Sequence, residues 1–374
     1  MVKKGKYAKY FSEVDPIKFL HLPEQKDAKH TEVNHYDYRD NEEAPHFMET
    51  NVLGSVTSAR SGILPKSIID PRIYYSAIYR SSQYQGLPNS RCFYESRSFM
   101  SLDPEHPDDI GVTMHMWMGE GKEAEMHVID KPTTQLVPPN TVGKPIFALE
   151  AHGKPGLVHV ICDNPLEAFI PFRGKLPPGF ENYKSEGWVR PKNEPLPKGS
   201  GKYAKYFSEI DVKNLPVYPA HRGKSARVMF YDGSYNAEAP HCIDCHLVYG
   251  AGMGFGLGDE KKLPVWADGR SDESSSYEPF LPHRHPFYQT YSFSPADKEI
   301  FPDLGGMVEL WLGEGDEAEQ HFITRATTVL IPKNTVHLPL YVREVHSPFT
   351  ILTVLDTPIW AGCWSLELPN RFKL

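Results

Sequence analysis

Five cysteines in 374 residues, Cys92, Cys162, Cys242, Cys245 and Cys363, are too few and too oddly numbered for the disulfide framework of a secreted domain, and they read as reduced thiols. Basic runs are equally scarce. None is longer than Lys3-Lys4 or Lys261-Lys262, and a formal charge of -8 argues against a nucleic-acid backbone as partner. No apolar run approaches the roughly 18 residues of a membrane span, and the start Met1-Val-Lys-Lys-Gly-Lys-Tyr lacks the apolar stretch of a secretion signal. A cytoplasmic protein without membrane contact is expected. Long helical periodicity is missing too, apart from the polar lead Tyr203 to Leu215. What is plentiful is proline (34) and glycine (28), spread without a period, which suits many short strands joined by turns. Hydrophobic residues at 40 % and aromatics at 12 % suffice for globular cores, so the expected class is all-β.

The chain contains one unit written twice. Gly5-Lys-Tyr-Ala-Lys-Tyr-Phe-Ser-Glu13 returns as Gly201 to Glu209, Glu43-Ala-Pro-His46 as Glu238-Ala-Pro-His241, and Gly119-Glu-Gly121 as Gly313-Glu-Gly315. Nearly constant offsets mean two domains of one fold, 1–195 and 196–374. The Pro-, Lys- and Gly-rich stretch Lys184 to Ser200 reads as the linker. In the second unit, strands are expected at Phe287 to Phe293, Met307 to Leu312, His321 to Ile323, Thr328 to Ile331, Leu338 to Val342 and Phe349 to Leu355. The first unit shows counterparts at Met114 to Met118, Thr134 to Val137 and Leu157 to Ile161.

Chemistry concentrates in Pro282-His283-Arg284-His285-Pro286-Phe287-Tyr288-Gln289. Side chains alternate along a strand, so His283, His285 and Gln289 share parity and are expected on one face. His337, behind the turn Pro332-Lys-Asn-Thr-Val336, stands ready to complete a metal site from a neighbouring strand. The His-x-His pair, the amide four residues later and the Pro-x-x-x-x-His further on resemble the two motifs of the cupin superfamily, and the whole chain resembles a bicupin. That resemblance implies two tandem cupin (double-stranded β-helix, or jelly-roll) barrels with extended N-terminal lead segments. It also implies a divalent metal held by His283, His285, Gln289 and His337. The family pattern has Glu where Gln289 stands. At the offset of 194, the three histidines fall opposite Asn89, Arg91 and Gly143, and Gln289 falls opposite Glu95. The first barrel has therefore lost its imidazoles together, as loss of a single function predicts.

Three neutral imidazoles and an amide leave a divalent ion its full charge, which favours an anionic or enolisable, oxygen-rich small substrate, and open positions mark a catalytic metal. Nitrogen-rich ligation suits Fe, Zn, Ni or Cu with Mn also allowed, and Fe is placed first. The leading expectation is an Fe(II) dioxygenase-type enzyme cleaving a carbon–carbon bond. The alternatives are a non-redox Zn, Mn or Ni lyase, isomerase or hydrolase, and a non-catalytic ligand-binding protein. Gln289, His321 and Glu309 are the candidates for orienting or acid–base roles, although retention of His127 opposite His321 favours a structural part for the latter. Tyr288, Tyr291 and Trp311 are candidate pocket walls, more often plain core in strands. Cys242-Ile-Asp-Cys245-His246 matches a haem-attachment pattern, but the homologous Phe47 to Asn51 lacks both cysteines, and buried thiols are the expected reading. The alternating glycines of Gly250 to Gly258 do not match a nucleotide-binding loop, and Asp316 to Glu319 reads as a solvated hairpin edge. Edge strands and duplication suggest a homo-oligomer.

Overall fold

A computed structural model describes residues 5–14, 32–53, 94–139, 141, 143, 146–163, 194–215, 221–255, 282–359, 363 and 364. The Asn89-Ser-Arg91 triplet, parts of the lead segments and the end of the glycine run lie outside the described residues. The first repeat contributes β1 (Phe11–Glu13), β2 (Glu32–Tyr36), β3 (Phe47–Leu53), β4 (Glu95–Ser101), β5 (Val112–Met118), β6 (Glu125–Ile129), β7 (Thr133–Val137), β8 (Ile146–Ala151) and β9 (Gly156–Cys162). The second contributes β10 (Phe207–Glu209), β11 (Ser225–Tyr231), β12 (Cys242–Val248), β13 (Gly254–Phe255), β14 (His283–Arg284), β15 (Gln289–Pro295) and β16 (Asp303–Leu312). It continues with β17 (Glu319–Arg325), β18 (Thr327–Ile331), β19 (His337–Val345), β20 (Phe349–Leu355) and β21 (Cys363–Trp364). The helical lead expected at Tyr203 to Leu215 is instead a 3₁₀ turn at Ala204–Tyr206, then β10, then a second 3₁₀ turn at Val212–Asn214. Phe207 and the residues after it are drawn into a sheet, which overrides local propensity.

Among the described residues all pairings are antiparallel, and they form two jelly-roll barrels. One barrel faces the sheet β10-β7-β4-β9-β3-β2 with β6-β5-β8. The other faces β1-β18-β15-β20-β12-β11 with β17-β16-β19-β14-β21, where β13 also pairs β19. The two six-stranded sheets carrying β10 and β1 pack back to back. Met48, Leu157 and Ile161 from one meet Met229, Ile243 and Leu352 from the other in a single core, each such side chain contributing about 1.5–3 kcal/mol. Asn34 crosses that layer fully buried, donating to Ser292 and Ser294 and accepting from Thr328 Oγ1 at 3.1 Å.

The repeats exchange their leading strands. β1 pairs β18 of the second repeat, Phe11 opposite Val329, and β10 pairs β7 of the first, Phe207 opposite Gln135. The duplicated Gly-Lys-Tyr segment is the docking device. The amides of Lys6 and Tyr7 donate to Glu319 at 2.6 and 3.1 Å, and those of Lys202 and Tyr203 to Glu125 at 2.7 and 2.9 Å. His321 stacks on Phe11 with ring centres 4.1 Å apart, and His127 on Phe207 at 4.2 Å. The sheets therefore do not follow the expected repeat boundary at their edges.

Candidate metal centre

Alternation along one strand does not assemble the site. Pro286 has no amide hydrogen for a ladder, β14 ends at Arg284, and a bend separates it from β15, which opens at Gln289. His283 and Gln289 therefore approach from opposite sheets of the second barrel. Three local devices then bring the histidines together. His283 lies directly across the ladder from His337. The turn before His337 is closed by Thr335 N donating to Pro332 O at 3.1 Å, with Asn334 in the left-handed region at φ 61°, which Asn tolerates. Asn334 N donates to His285 O at 2.6 Å and ties that turn to the His285 backbone.

The third device is a bulge. Leu310 pairs Leu340 and Leu312 pairs His337, so one residue more is spent on β19 than on β16. Leu310, Leu312 and Leu340 all face the barrel core. Without the extra residue, His337 would take the opposite parity to Leu340 and point outward. Leu338, at φ 78°, carries the distortion, and His337 turns inward.

The three imidazoles are buried, and one ring nitrogen from each lies within 4.8 Å of the others, a group that can hold a metal ion. Ring centres are 4.7 Å apart for His283 and His285, 4.4 Å for His283 and His337, and 5.1 Å for His285 and His337. His337 Nδ1 is 3.2 Å from Thr335 O, an atom that only accepts, so the proton sits on Nδ1 and the Nε2 lone pair is free. Nε2 has no hydrogen-bond partner among the described residues, nor does the buried Gln289 Oε1. Burial, and then the nearby His283 and His285, hold the His337 pKa well below the ordinary imidazole range, so the ring is a neutral donor at physiological pH. Phe287 stacks on His285 at 4.8 Å and fixes its plane. The donor set thus fits a divalent transition metal.

Beyond the triad, the same interior continues with polar groups. Register places Tyr291, Thr353 and Asp244 side by side, with Phe293, Ile351 and His246 in the next row. The Tyr291 ring centre is 6.3 Å from that of His337. Burial raises the phenol pKa and Asp244 adds to the effect, while a hydrogen bond from Gln289 opposes it, so Tyr291 stays protonated. Burial alone would raise Asp244, but Arg227, donating from Nε at 2.7 Å and Nη2 at 3.0 Å, and then His246 hold it well below the usual carboxylate range. The motif reading of Cys-x-x-Cys-His hid this row. Period-two alternation through Cys242, Asp244 and His246 points all three inward, whereas Cys245 faces the core between barrels, 3.9 Å from His159 Nε2. The two thiols therefore lie on opposite faces of β12 and share no ligand position.

Of the remaining sequence candidates, Glu309 and His321 lie apart from the triad. Glu309 faces away from the barrel core, bound by Trp311 Nε1 at 2.6 Å and by Arg343. His321, on β17, is separated from β19 by β16 and serves the docking seam. In the first barrel, the carboxylate of Glu95 meets Arg97, whose guanidinium also donates to Gln135 Oε1 and Gly143 O. Arg97 stands opposite Tyr291 and Gly143 opposite His337 in the repeat alignment. A Cβ at Gly143 would come 2.6 Å from Val137 Cγ2 and 3.2 Å from Arg97 Nη1, so the guanidinium fills the place an imidazole would need. A buried guanidinium, ion-paired to Glu95, therefore stands beside Gly143 in that barrel.

Fold and site define a tandem jelly-roll protein with a three-histidine candidate metal centre in its second barrel. No protein-family model and no curated protein matches the sequence. Among solved structures, the chain is similar to a variant of Bacillus subtilis oxalate decarboxylase at 9 % identity and TM-score 0.44, over 92 % of this chain and 78 % of that one. A structure from work on the Mn(II) centres of the same enzyme gives the same values. The structure of that enzyme at pH 4.6 gives 9 % and 0.42, over 92 % and 77 %.

Proposed function

We propose that the chain is a metal-dependent enzyme that cleaves a carbon–carbon bond in a small, anionic, oxygen-rich substrate by a non-redox, lyase-type route. One observation carries this reading: a buried phenol, Tyr291, stands beside a triad of buried imidazoles. When bound, the ion supplies Lewis acidity with undiminished positive charge, because His283, His285, His337 and Gln289 are all neutral donors. Every other task falls to the chain. His337 is held in one tautomer by Thr335 and His285 in one plane by Phe287. Apolar walls such as Phe293 and Ile331 exclude water. In a decarboxylation, the bond to the leaving carboxylate breaks, its electron pair stays on the remaining carbon and carbon dioxide departs. Tyr291 Oη gives the proton that completes the new C–H bond, and solvent restores it.

The Fe(II) and dioxygen expectation takes second place because it gives this phenol no task. Turnover of a panel of small 2-oxo, 3-oxo and di-carboxylates, run without oxygen on protein loaded with Mn(II) or Zn(II), tests the choice. Carbon dioxide release is expected. Turnover that requires both Fe(II) and oxygen, or protein that holds no more metal than a His283→Ala variant, overturns the proposal.

A further inference from the structure

On the outer face of the first barrel, three residues that the metal chemistry does not use meet in an open cleft of about 460 Å³: Asp109, just before β5, Thr113 on β5 and His152, in the turn between β8 and β9. His152 Nδ1 lies 2.7 Å from Asp109 Oδ1, and its Nε2 lies 2.9 Å from Thr113 Oγ1. A carboxylate oxygen only accepts, so in the neutral ring the proton sits on Nδ1, and the Nε2 lone pair accepts from the Thr113 hydroxyl. Hydroxyl, imidazole and carboxylate therefore stand in the order of a nucleophile, its general base and the group that orients the base. The strand sets the aim of the hydroxyl. Val112 and Met114 are buried in the barrel core, so alternation turns Thr113 outward. A register shift between Thr113 and Met114, where β5 meets β8, is the kind of irregularity that re-aims side chains next to active sites.

The second repeat shows that the local frame does not need this relay. At offset 194, Asp303, Met307 and His346 stand opposite Asp109, Thr113 and His152. The backbone is built alike in both. Gly111 N donates to Asp109 Oδ1 at 2.9 Å and Gly305 N to Asp303 Oδ1 at 2.7 Å, while His152 N donates to Gly111 O at 2.8 Å and His346 N to Gly305 O at 2.6 Å. The register shift recurs between Met307 and Val308. Yet the His346 side chain, 72 % exposed, turns to Glu344, with Nε2 3.2 Å from Oε2. The same turn thus closes without an imidazole–carboxylate bond to the aspartate, and the relay forms in the repeat that supplies a hydroxyl. Solvent and small molecules can reach it, since the His152 and Asp109 side chains are 25 % and 24 % exposed. Lys131 and Lys154 line the same cleft, Lys154 Nζ 3.2 Å from Asp109 Oδ2, and offer positive charge to an oxygen that becomes anionic.

We propose that the first barrel carries a metal-independent acyl-transfer site for small esters or thioesters, with Thr113 as nucleophile, His152 as general base and Asp109 as positioning residue. Thr113 Oγ1 bonds to the carbonyl carbon as His152 Nε2 takes the hydroxyl proton. The bond to the leaving oxygen or sulfur breaks, and the leaving group departs with that proton. Water then attacks the Thr113 ester by the same route, which releases the acid and restores the hydroxyl. Full-length protein is mixed with p-nitrophenyl acetate, quenched in acid and its peptides read by mass spectrometry. Acetyl should appear on Thr113 faster than on exposed Ser234. It should persist in Thr113→Ser and vanish from that peptide in Thr113→Val, a swap of similar size that suits a strand. His152→Gln should slow labelling by at least about 10²-fold. Asp109→Asn, whose amide can hold the ring proton on Nε2, should slow it too, and Asp109→Glu should recover part of the rate. His346→Gln and His283→Ala/His337→Ala should label like the wild type, so failure of the metal reading leaves these results untouched. Thr113 labelled no faster than Ser234, or a His152→Gln variant that labels at the wild-type rate, overturns the proposal.

Discussion

Replacing Arg97 by alanine should hurt the first barrel far more than a lost surface charge would. The side chain is 3 % exposed and bonds Glu95, Gln135 and the Gly143 carbonyl at once. Its removal leaves a carboxylate at 8 % exposure and an amide at 0 % without their cation, and breaking one partner of a buried pair costs about 3–5 kcal/mol. In a unit of this size, each kcal/mol moves the midpoint by roughly 2–4 °C, so calorimetry should show a transition lowered by roughly 6–20 °C. Replacing both partners, Glu95→Leu with Arg97→Leu, removes the buried charges together and should recover most of the loss, since apolar substitutes for such pairs are often neutral. An Arg97→Ala variant within about 1 kcal/mol of wild type, the ordinary worth of an exposed pair, would refute the internal-cation account. So would a double variant as unstable as the single one.

Three further outcomes follow from the geometry. His337→Ala should lose the barrel ion at equimolar metal while the fold survives by circular dichroism; full metal retention would remove His337 from the site. Tyr291→Phe should keep its metal and lose about 10²–10⁴ in turnover, and a variant of unchanged rate would end the proton-donor role. His159 bonds Thr50 Oγ1 at 2.7 Å, and burial pushes its pKa down to about 3. Below about pH 6.5, the unfolded chain therefore takes a proton that the native one refuses, and stability falls by about 1.4 kcal/mol per pH unit down to the folded value. Urea unfolding of His159→Leu between pH 6.5 and 4 should show a slope shallower by that one proton. An identical slope would contradict the assignment.

Much of this was legible in residues. The repeated Gly-Lys-Tyr segment announced a duplication, β-branched runs marked the strands, and the three histidines stood out because all three vanish together in the first repeat. What stayed hidden is non-local. Which barrel receives β1 is decided by Glu319 and His321, more than three hundred residues away, and by their counterparts in the first repeat. Parity argued for His283 and Gln289 on one strand, but Pro286 divides them between sheets. His337 points inward through a bulge that its own neighbours do not advertise, because the register belongs to β16 as much as to β19. Arg97 was overlooked because it is aligned with a tyrosine, not a histidine. Its place beside the position opposite His337 emerges only with the contacts around Gly143.

The exchanged arms also set a timetable for synthesis. The first barrel can seal its edge as soon as Phe207–Glu209 leave the ribosome, whereas Phe11–Glu13 must wait for Thr327–Ile331, far later in the chain. Between the making of those two strands, the nascent chain therefore trails an unsatisfied strand, the kind of edge that recruits a neighbouring chain. On a crowded polysome, the first arm of one copy can be captured by the late strand of another. The same pairing that locks a finished molecule would then link two unfinished ones.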